Sequence, residues 1–558
     1  MGGAARGSQE VALRPRRALW IAAIASFFLF RLAFGLSLPF FGEDETQIFL
    51  IGLRHYATGA WPYFGPDIVW TRSVIPGALQ GILVGVPLNV WPAPEASYVV
   101  LNILSTTALC ALCWYISRRL PSIPRWLLWG WVMTLPWTLR YSTHIVNPSY
   151  VLPAAVAFFI GFFESVPVLR RGAIPEWLAL AMMGGAIVWI AQVHMSYALL
   201  PPYAVVAVIA ASRHGRLGRN IAAFTAGALV PASLLIPTWL RYGLGGNMGG
   251  TFKNLHVHPL SPWIAITVLA RFFSFASLEI NRFVATDNAK RLVFAERHLW
   301  LAAIGIPVWA AGLVQPIWMA REWFRTAVVP EWRTLKALVA GTVVWIYASY
   351  WLVMEPSQAH AFYVVTPLAI IFAAYCWTIV DRPRLRRAAA AVLALNVVFQ
   401  TGLVLAQREL SLYHDRAVAA AAVRFKEPEL LGHRRPFAID GGPVALQDPS
   451  RPYDPTRDLH LDGLTCAARP DGVLMWTFTL RNLNPRVAFR DVLYVARYNH
   501  PNRAGLDERH EFVRQVFQPG EARPVEVNDG FADGASCNGA SLRIAAAEAL
   551  LPLDEQRQ

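Results

Sequence analysis

Residues 18–40, ALWIAAIASFFLFRLAFGLSLPF, form the first of several apolar blocks and directly follow three arginines, Arg14, Arg16 and Arg17. A helix needs about 20 apolar residues to cross the roughly 30 Å hydrocarbon core of a bilayer. The block is longer than the core of a signal peptide, and no small-residue cleavage site follows it. Because Arg-rich flanks stay in the cytoplasm, this stretch predicts an uncleaved first transmembrane helix with its N-terminus inside the cell.

The composition of the whole chain agrees with a membrane protein. Of the 558 residues, 55% are hydrophobic and only 15% are charged, whereas soluble domains are about 45–50% apolar and about 25% charged. These values exclude a soluble enzyme, a disordered chain and a disulfide-rich secreted scaffold. The formal net charge of +14 would suit nucleic-acid binding only if the basic residues were placed for it.

Ten further apolar blocks follow the first one. They lie at about 97–117, 126–140, 150–169, 177–195, 197–212, 220–240, 299–319, 335–354, 361–380 and 388–407. When eleven spans alternate from an inside N-terminus, every loop assigned to the cytoplasm is basic, as the positive-inside rule requires. The arginines of these loops are Arg118, Arg119, Arg125, Arg170, Arg171, Arg213, Arg216, Arg219, Arg321, Arg325, Arg333, Arg382, Arg384, Arg386 and Arg387. Much of the basic excess therefore fixes orientation, and no nucleic-acid partner is expected.

Two other apolar stretches, 73–91 and 260–284, are further candidates for transmembrane spans. If only one crossed, several arginine clusters would move to the outside, and if both crossed, the spans between them would be inverted. Their prolines and arginines also suit an interfacial position better than the bilayer centre. We therefore expect juxtamembrane or re-entrant helices within two outer segments, a first outer loop at 41–96 and a second at 241–298.

The chain changes character at about residue 408. Short alternating runs such as Val473–Leu480 and Val492–Tyr498 follow, separated by turn residues, which is typical of a small antiparallel β-rich domain, sandwich-like in architecture. We therefore predict a membrane domain at 1–407 and a periplasmic or extracellular soluble domain at 408–558. Cys466 and Cys537 are the only cysteines of that domain, and an oxidising compartment would allow a disulfide; the sequence leaves the bridge open.

The loop that leaves the first span carries three consecutive carboxylates, Glu43, Asp44 and Glu45. Apolar residues at helical spacing follow them as far as Gly59, which predicts a short amphipathic helix. One interpretation is a helix N-terminus, where acidic residues favour the helix dipole. The other is catalytic, because carboxylates packed this closely repel one another, and that repulsion can suit one of them to general-base chemistry.

A wider pattern around this exit resembles the GT-C superfamily of membrane glycosyltransferases. It consists of Arg31 late in the first span, Pro39, the acidic pair Asp44–Glu45, Gly59 and Pro62. Within the superfamily the chain is similar to the branch of protein O-mannosyltransferases and aminoarabinose (ArnT-like) transferases. The resemblance covers the architecture of residues 15–407 and implies sugar transfer from a polyprenyl-phosphate donor on the outer face of the membrane.

The resemblance also implies roles for individual residues. Asp44 corresponds to the catalytic acidic position, with Glu45 as its partner in the motif. In the implied reaction a carboxylate takes the proton of an acceptor hydroxyl as it attacks the anomeric carbon, and the phosphate leaves from the opposite face with inversion. The leaving phosphate needs fixed positive charge, for which we predict Arg31, Arg72 and His360. The plainer alternatives are a snorkelling Arg31 and an interfacial anchor at Arg72.

Polar residues at the outer ends of later spans are the candidates for acceptor or sugar binding. These are His144, Asn147, Glu355 and Tyr363, each of which also has a plainer interpretation as an interfacial residue. Relatives place a second acidic residue near His144, but this chain has none there, which argues against a second catalytic carboxylate. His256 and His258 form an HxH pair that lacks further zinc ligands at the usual spacing. No metal site is therefore predicted, a divalent cation has no support, and the lipid-linked donor serves as co-substrate.

The sequence thus predicts a polytopic α-helical membrane protein of about 11 spans, GT-C-like, in a bacterial inner membrane. The predicted function is an inverting hexosyl or pentosyl transferase, with a glycan, a lipid or a protein as acceptor. The main alternative is a transporter or flippase for a lipid-linked or amphiphilic substrate. Transporters often show repeated halves with broken helices near the midplane, whereas no repeat is visible here and the polar groups collect at outer ends. A glycan-joining enzyme and a noncatalytic anchor are further alternatives.

Overall fold

A computed structural model of the chain describes residues 4–38, 43–68, 73–212, 215–243, 257, 261–275, 277–284, 288–325, 330–352, 359–407, 437–439, 442–444, 454–470, 473–499, 507–513, 515–531 and 535–550. The chain divides into two compact units, Met1–Ser411 and Leu412–Gln558. The first unit is built mainly from helices and the second mainly from β-strands.

The helices of the first unit vary widely in length. In chain order they are α1 (Ala4–Ser37), α2 (Glu43–Thr58), α3 (Leu79–Leu88), α4 (Glu95–Arg119), α5 (Arg125–Thr134), α6 (Pro136–Ser142), α7 (Val151–Ser165), α8 (Glu176–Ala191), α9 (Pro201–Ala211), α10 (Leu217–Ala232), α11 (Ile236–Tyr242), α12 (Trp263–Ser274), α13 (Ile280–Val284), α14 (Asn288–Arg297), α15 (Leu299–Phe324), α16 (Pro330–Tyr350), α17 (Thr366–Val380) and α18 (Pro383–Gln407). Short 3₁₀ turns occupy Met195–Leu199, Ser233–Leu235, Ser277–Glu279 and Ala359–Val365. An antiparallel ribbon, β1 (Phe64–Ile68) with β2 (Ser73–Pro76), connects α2 to α3.

Six helical segments in the described part of the chain are long and apolar enough to cross a membrane. They are Ala18–Ser37, Glu95–Arg119, Leu217–Tyr242, Leu299–Phe324, His360–Val380 and Pro383–Ala406. The prediction of a multi-pass α-helical membrane protein is therefore confirmed. Each of the other blocks predicted as spans also contains a helix, and the count of about 11 spans stays a prediction. The two further candidate stretches form short helices, α3 with 10 residues and α12 with 12.

One block predicted as a single span, 126–140, is broken into α5 and α6. The break lies at Leu135, whose backbone is extended (φ −56°, ψ 129°). Pro136 causes it, because proline disfavours helical geometry in the residue before it and lacks the N–H that would continue the ladder. Pro136 then begins α6, where its missing N–H is not needed. The break creates a short separate helix whose residues face several neighbouring elements.

Helices α8 and α10 pack with their backbones in close approach. A Cβ atom added to Gly227 would lie 1.9 Å from the carbonyl oxygen of Ala181, and one added to Gly184 would lie 2.0 Å from that of Phe224. Small residues permit such contact between membrane helices, which associate through close packing rather than hydrophobic burial. This contact fixes α8, from whose end the turn at Met195–Leu199 follows.

A partly buried ionic network lies where α4 ends. We call it the Arg119 cluster; it consists of Tyr115, Arg119, Glu164, Arg171, Glu331 and Tyr375. The Arg119 guanidinium donates to Glu331 at 2.5 Å and to the Tyr115 hydroxyl at 2.8 Å. Arg171 also donates to Glu331, at 2.5 Å. Three loops that the positive-inside rule assigned to one side of the membrane therefore meet in the structure.

The second unit contains two three-stranded antiparallel sheets. Its elements are the ribbon β3 (Phe437–Ile439) with β4 (Gly442–Val444), α19 (Pro455–Asp458), β5 (Leu459–Ala468), β6 (Val473–Asn482), β7 (Ala488–Asn499), β8 (Asp507–Val513), β9 (Ala522–Phe531) and β10 (Ser536–Leu550). The strand orders are β5–β6–β9 and β10–β7–β8. The predicted C-terminal β-rich domain is confirmed.

The two sheets of the second unit share one hydrophobic core. Trp476 and Phe478 contribute from one sheet, and Tyr494 and Tyr498 from the other. Both tyrosine hydroxyls donate to the buried carboxylate of Asp529, Tyr498 at 2.5 Å and Tyr494 at 3.2 Å. Burial, together with this hydrogen bond, raises the pKa of Tyr498 above its usual range.

Cys466 on β5 and Cys537 on β10 are joined in a disulfide bond. The bridge links the two sheets, since β5 and β10 belong to different sheets. The question that the sequence left open is answered by the structure in favour of the bond. Such a bridge is typical of a domain in an oxidising compartment.

Candidate active site

A carboxylate is buried in the first turn of α2. We call the group of Glu45, Tyr98, Arg140 and His144 the Glu45 cluster. All four residues are buried. The Tyr98 hydroxyl donates a hydrogen bond to Oε1 of Glu45. The other carboxylate oxygen, Oε2, lies 3.1 Å from Nε2 of His144, an electrostatic contact without the alignment of a hydrogen bond. Arg140 is within Coulombic range of both Glu45 and His144.

The loop that carries His144 is fixed from two sides. Nδ2 of Asn102 on α4 donates to the carbonyl oxygen of Thr143 at 2.8 Å. From the other side α1 approaches so closely that a Cβ atom on Gly35 would lie 1.9 Å from the same oxygen. Within the loop, Ser149 Oγ donates to the His144 carbonyl at 2.6 Å. The position of the imidazole is therefore set by α1, α4 and the loop itself.

A buried carboxylate away from water is costly unless it is paired and hydrogen-bonded. Glu45 meets this requirement through the hydroxyl of Tyr98, the imidazole of His144 and the nearby guanidinium of Arg140. Its turn of α2 is thus anchored to α4 and to the His144 loop. The adjacent Asp44 belongs to the same turn, and its side chain lies outside the described part of the structure.

Arg31 is fully buried within the helices. Its Nη1 donates to the Met133 carbonyl at 2.9 Å and to Thr138 Oγ1 at 3.2 Å, and its Nη2 donates to the Thr138 carbonyl at 2.9 Å. Carbonyl groups at the end of a helix lack intrahelical partners, and Met133 lies in the last turn of α5. Arg31 therefore bridges the break between α5 and α6, and its role at a donor phosphate stays a prediction.

A second polar group lies on another side of α6. The ring centroid of Tyr141 is 6.3 Å from that of His360 and 5.6 Å from that of Tyr363. Ser142 and Tyr363 are hydrogen-bonded through their hydroxyl groups. The ring centroids of His194 and His360 are 6.1 Å apart. The short helix α6 thus joins this group to the Glu45 cluster.

Around α6 the structure brings together five of the residues that the sequence singled out: Arg31, Glu45, His144, His360 and Tyr363. Asn147 is half-buried in the loop beyond His144. Arg72, Glu355, His256 and His258 lie outside the described residues, as does the side chain of Asp44. No group of three or more metal-ligating side chains is found among the described residues.

The sequence interpretation overlooked Tyr98 and Arg140. Tyr98 looks like an ordinary interfacial aromatic at the start of a span, and nothing local distinguishes it. Arg140 carried a usable signal, because it lies at the predicted outer end of a span, where the positive-inside rule disfavours arginine. An arginine that breaks this rule and is also buried indicates a functional or structural partner within the protein.

Comparison with known proteins gives structural similarity only. No family model matches the chain, and no curated protein sequence matches it. Among solved structures it is similar to ArnT from Cupriavidus metallidurans in the apo state, with 12% identity and a TM-score of 0.45 over 73% of this chain and 80% of that one. The same protein bound to undecaprenyl phosphate gives 12% identity and a TM-score of 0.37, over 73% and 79%.

A third similar structure is the oligosaccharyltransferase from Archaeoglobus fulgidus in the apo form. It shares 11% identity with a TM-score of 0.34, and the match covers 78% of this chain and 61% of that one.

Proposed function

We propose that the chain is an inverting glycosyltransferase that moves a sugar from a polyprenyl-phosphate donor to an acceptor on the outer face of a bacterial inner membrane. The observation that carries the proposal is the convergence of the motif residue Glu45 with His144, His360 and Tyr363 around α6. These residues are remote in sequence, and the sequence predicts each of them as a site residue at the outer end of a span. Ionisable residues inside a membrane protein are functional by default.

The positions of the two polar clusters support this topology. Tyr98 and Arg119 lie near opposite ends of the 25-residue helix α4, about 30 Å apart at the α-helical rise. The loops of the Arg119 cluster are those with arginines that the positive-inside rule keeps in the cytoplasm. With about 11 spans the N-terminus is cytoplasmic, the Glu45 cluster faces the periplasm, and the sandwich-like domain at 408–558 is periplasmic.

In the proposed reaction Asp44 is the general base. It takes the proton of the acceptor hydroxyl while the oxygen attacks the anomeric carbon, and the bond from that carbon to the phosphate oxygen breaks with inversion. Glu45 positions the turn that carries Asp44, because its own carboxylate is held by Tyr98 and His144. A misplacement of about 1 Å in such a group costs about 100-fold in rate.

The remaining predicted residues surround this reaction. Arg31, Arg72 and His360 are proposed to balance the charge of the donor phosphate, since fixed positive charge stabilises the leaving group. His144, Asn147, Glu355 and Tyr363 are proposed to contact the acceptor or the sugar. No metal is invoked.

The test is a transfer assay with purified protein and a panel of labelled polyprenyl-phosphate sugars. We expect Asp44→Asn to lower turnover by at least about 100-fold, the usual contribution of a general base, with an unchanged melting temperature. Glu43→Gln, which removes a carboxylate from the same segment, is the matched control and retains turnover.

Full turnover in Asp44→Asn would overturn the role of Asp44. A parallel measurement in proteoliposomes follows the labelled lipid itself. Movement of intact donor across the bilayer without sugar transfer would overturn the proposal in favour of a flippase.

A further inference from the structure

A cavity of about 410 Å³ lies between helices α5, α15, α17 and α18. Pockets that take small organic molecules have volumes of about 300–1,000 Å³, so this one is large enough for a ligand. Leu128, Trp131, Ala311 and Val392 are among the side chains that line it. Val314 also lines it and is 59% exposed, so the cavity is open at the surface of the helical unit. The Glu45 cluster contributes none of the described residues that line it.

The walls of this cavity are unsuited to water. Of the described residues that line it, Gln315 is the only one with a side-chain amide, and its Nε2 already donates to the sulfur of Met319 at 3.8 Å. A buried water needs about two to four polar partners, and the other lining side chains are apolar apart from indole N–H groups and the Cys376 thiol. The cavity therefore suits an apolar chain, and a bilayer supplies such chains as lipid tails.

Two helices begin together at one end of the cavity. Helices α5 and α18 pack so closely that a Cβ atom added to Gly130 would lie 2.6 Å from Cδ2 of Leu393. Ile123, just before α5, and Leu385, in the first turn of α18, both line the cavity. The loops that precede these helices carry arginines, and the positive-inside rule assigns both loops to the cytoplasm. This end of the cavity therefore opens toward the predicted cytoplasmic face.

The same end is positively charged. Arg125, Arg384 and Arg387 are exposed, and within the described part of the chain they have no hydrogen-bond or ion-pair partner. Arg386 is paired with Asp381 at 2.5 Å, so the charge of that carboxylate is already balanced. Neither α5 nor α18 has an acidic residue in its first turn, and the N-terminus of a helix attracts anions. An anionic group at this end would meet three guanidinium groups and two helix N-termini.

The wall near this end also holds a hydrogen-bond donor. Trp377 lines the cavity from the last turn of α17. Its indole N–H is buried and has no hydrogen-bond partner among the described residues, although a buried indole N–H usually has one. The ester carbonyl of a glycerolipid, which lies between the headgroup and the acyl chains, would supply the acceptor.

We infer that the cavity binds an anionic phospholipid of the cytoplasmic leaflet, with an acyl chain between the helices and the phosphate beside Arg125, Arg384 and Arg387. The inference goes beyond sugar transfer and does not depend on it, because none of the described residues that line the cavity is a predicted site residue. Apolar walls alone accept the chain of any lipid, whereas basic residues at the cytoplasmic surface select anionic headgroups. A polyprenyl-phosphate donor would instead hold its phosphate at the predicted outer end, away from these arginines.

The experiment measures binding of dioleoyl phosphatidylglycerol and of zwitterionic dioleoyl phosphatidylcholine to delipidated full-length protein in detergent, by native mass spectrometry. Each basic residue near a membrane surface strengthens the binding of anionic lipid about fivefold. We therefore expect Arg384→Gln combined with Arg387→Gln to weaken phosphatidylglycerol binding at least about tenfold and to leave phosphatidylcholine binding unchanged. Arg216→Gln combined with Arg219→Gln is the matched control, since these exposed arginines lie at the start of α10, and it retains the wild-type affinity.

A second pair of variants tests the cavity itself. Ala311→Phe places a ring in the cavity, and we expect the saturable binding of phosphatidylglycerol to be lost. Ala303→Phe makes the same substitution at an exposed position of α15 that is not among the lining residues, and it retains binding. Melting temperatures in lipid-free detergent show whether the variants are folded. Ala389→Phe, which fills the cavity from α18, replaces Ala311→Phe if that variant is unfolded.

Wild-type binding of phosphatidylglycerol by the folded cavity-filling variant overturns the inference, as does equal affinity of the wild type for the two phospholipids. Polyprenyl phosphate is the competitor that tests the other lipid. If it displaces phosphatidylglycerol at lower concentration than phosphatidylglycerol itself is bound, the cavity holds the donor chain and the inference is overturned. If the chain binds phosphatidylglycerol as expected but transfers no sugar, the proposed function fails and this inference stands.

Discussion

The two ends of the helical bundle use buried charge in different ways. In the Arg119 cluster, Glu331 receives direct hydrogen bonds from two arginines at 2.5 Å, and Glu164 accepts from Tyr115 and from the backbone of Ala173. In the Glu45 cluster the carboxylate faces a hydroxyl and an imidazole. At one end arginines donate directly to the carboxylates, whereas at the other a hydroxyl and an imidazole contact the carboxylate and the guanidinium of Arg140 lies within Coulombic range of it.

On the proposed function, this difference separates an end that holds structure from an end that carries chemistry. A guanidinium stays protonated at every accessible pH, so the Arg119 cluster is a fixed connection between α4, the segment after α7, α16 and α17. The contact between the Glu45 carboxylate and the His144 imidazole is not a pair of fixed charges, so it can respond to a substrate. Removal of one partner from a buried ion pair such as those of the Arg119 cluster destabilises a protein strongly.

The largest expected effect comes from breaking the Arg119 cluster. Arg119→Met leaves Glu164 and Glu331 without their buried cation, and we expect it to lower the free energy of unfolding by about 3–5 kcal/mol. Denaturation in detergent measures the loss. Arg118→Met, at the exposed neighbouring position, is the control and shows little change. Sugar transfer per folded molecule is retained in both variants, and its loss in Arg119→Met alone would remove the distinction between the two ends.

A smaller effect is expected from the close contact between α1 and the His144 loop. The added methyl group of Gly35→Ala meets the Thr143 carbonyl oxygen, and overpacking of this kind costs about 1–3 kcal/mol. Because that carbonyl precedes His144, transfer should fall about tenfold or more through misplacement of the Glu45 cluster.

Gly341→Ala provides the matched control, since a Cβ atom there meets nothing within 4 Å among the described residues. It lies inside α16, where alanine is favoured over glycine by about 1 kcal/mol, so a slight gain in stability and unchanged transfer are expected. Equal stability and equal transfer rates in Gly35→Ala and Gly341→Ala would show that the His144 loop tolerates displacement.

The features that the sequence predicted correctly are local ones. Apolar blocks of the right length became helices, and alternating runs became strands. The break at Leu135 could have been predicted from Pro136. The continuous apolar character of 126–140 instead indicated a single span. Local propensity and length therefore account for most of the fold.

The partners within the candidate site could not be predicted in the same way. Tyr98 is 53 residues from Glu45, and Arg31 binds residues 102 and 107 positions away. Such pairings depend on how helices pack, and no local pattern specifies them. The motif located Glu45, whereas its environment of hydroxyl, imidazole and guanidinium became visible only in three dimensions.

The most direct test of the account replaces one carboxylate at each end by its amide, in Glu45→Gln and Glu331→Gln, and measures turnover per folded molecule together with the melting temperature. The account predicts that Glu45→Gln lowers turnover by about 100-fold with a small change in melting temperature. It predicts that Glu331→Gln lowers the melting temperature and leaves turnover per folded molecule unchanged. Normal turnover in Glu45→Gln, or an equal loss of turnover in Glu331→Gln, would contradict it.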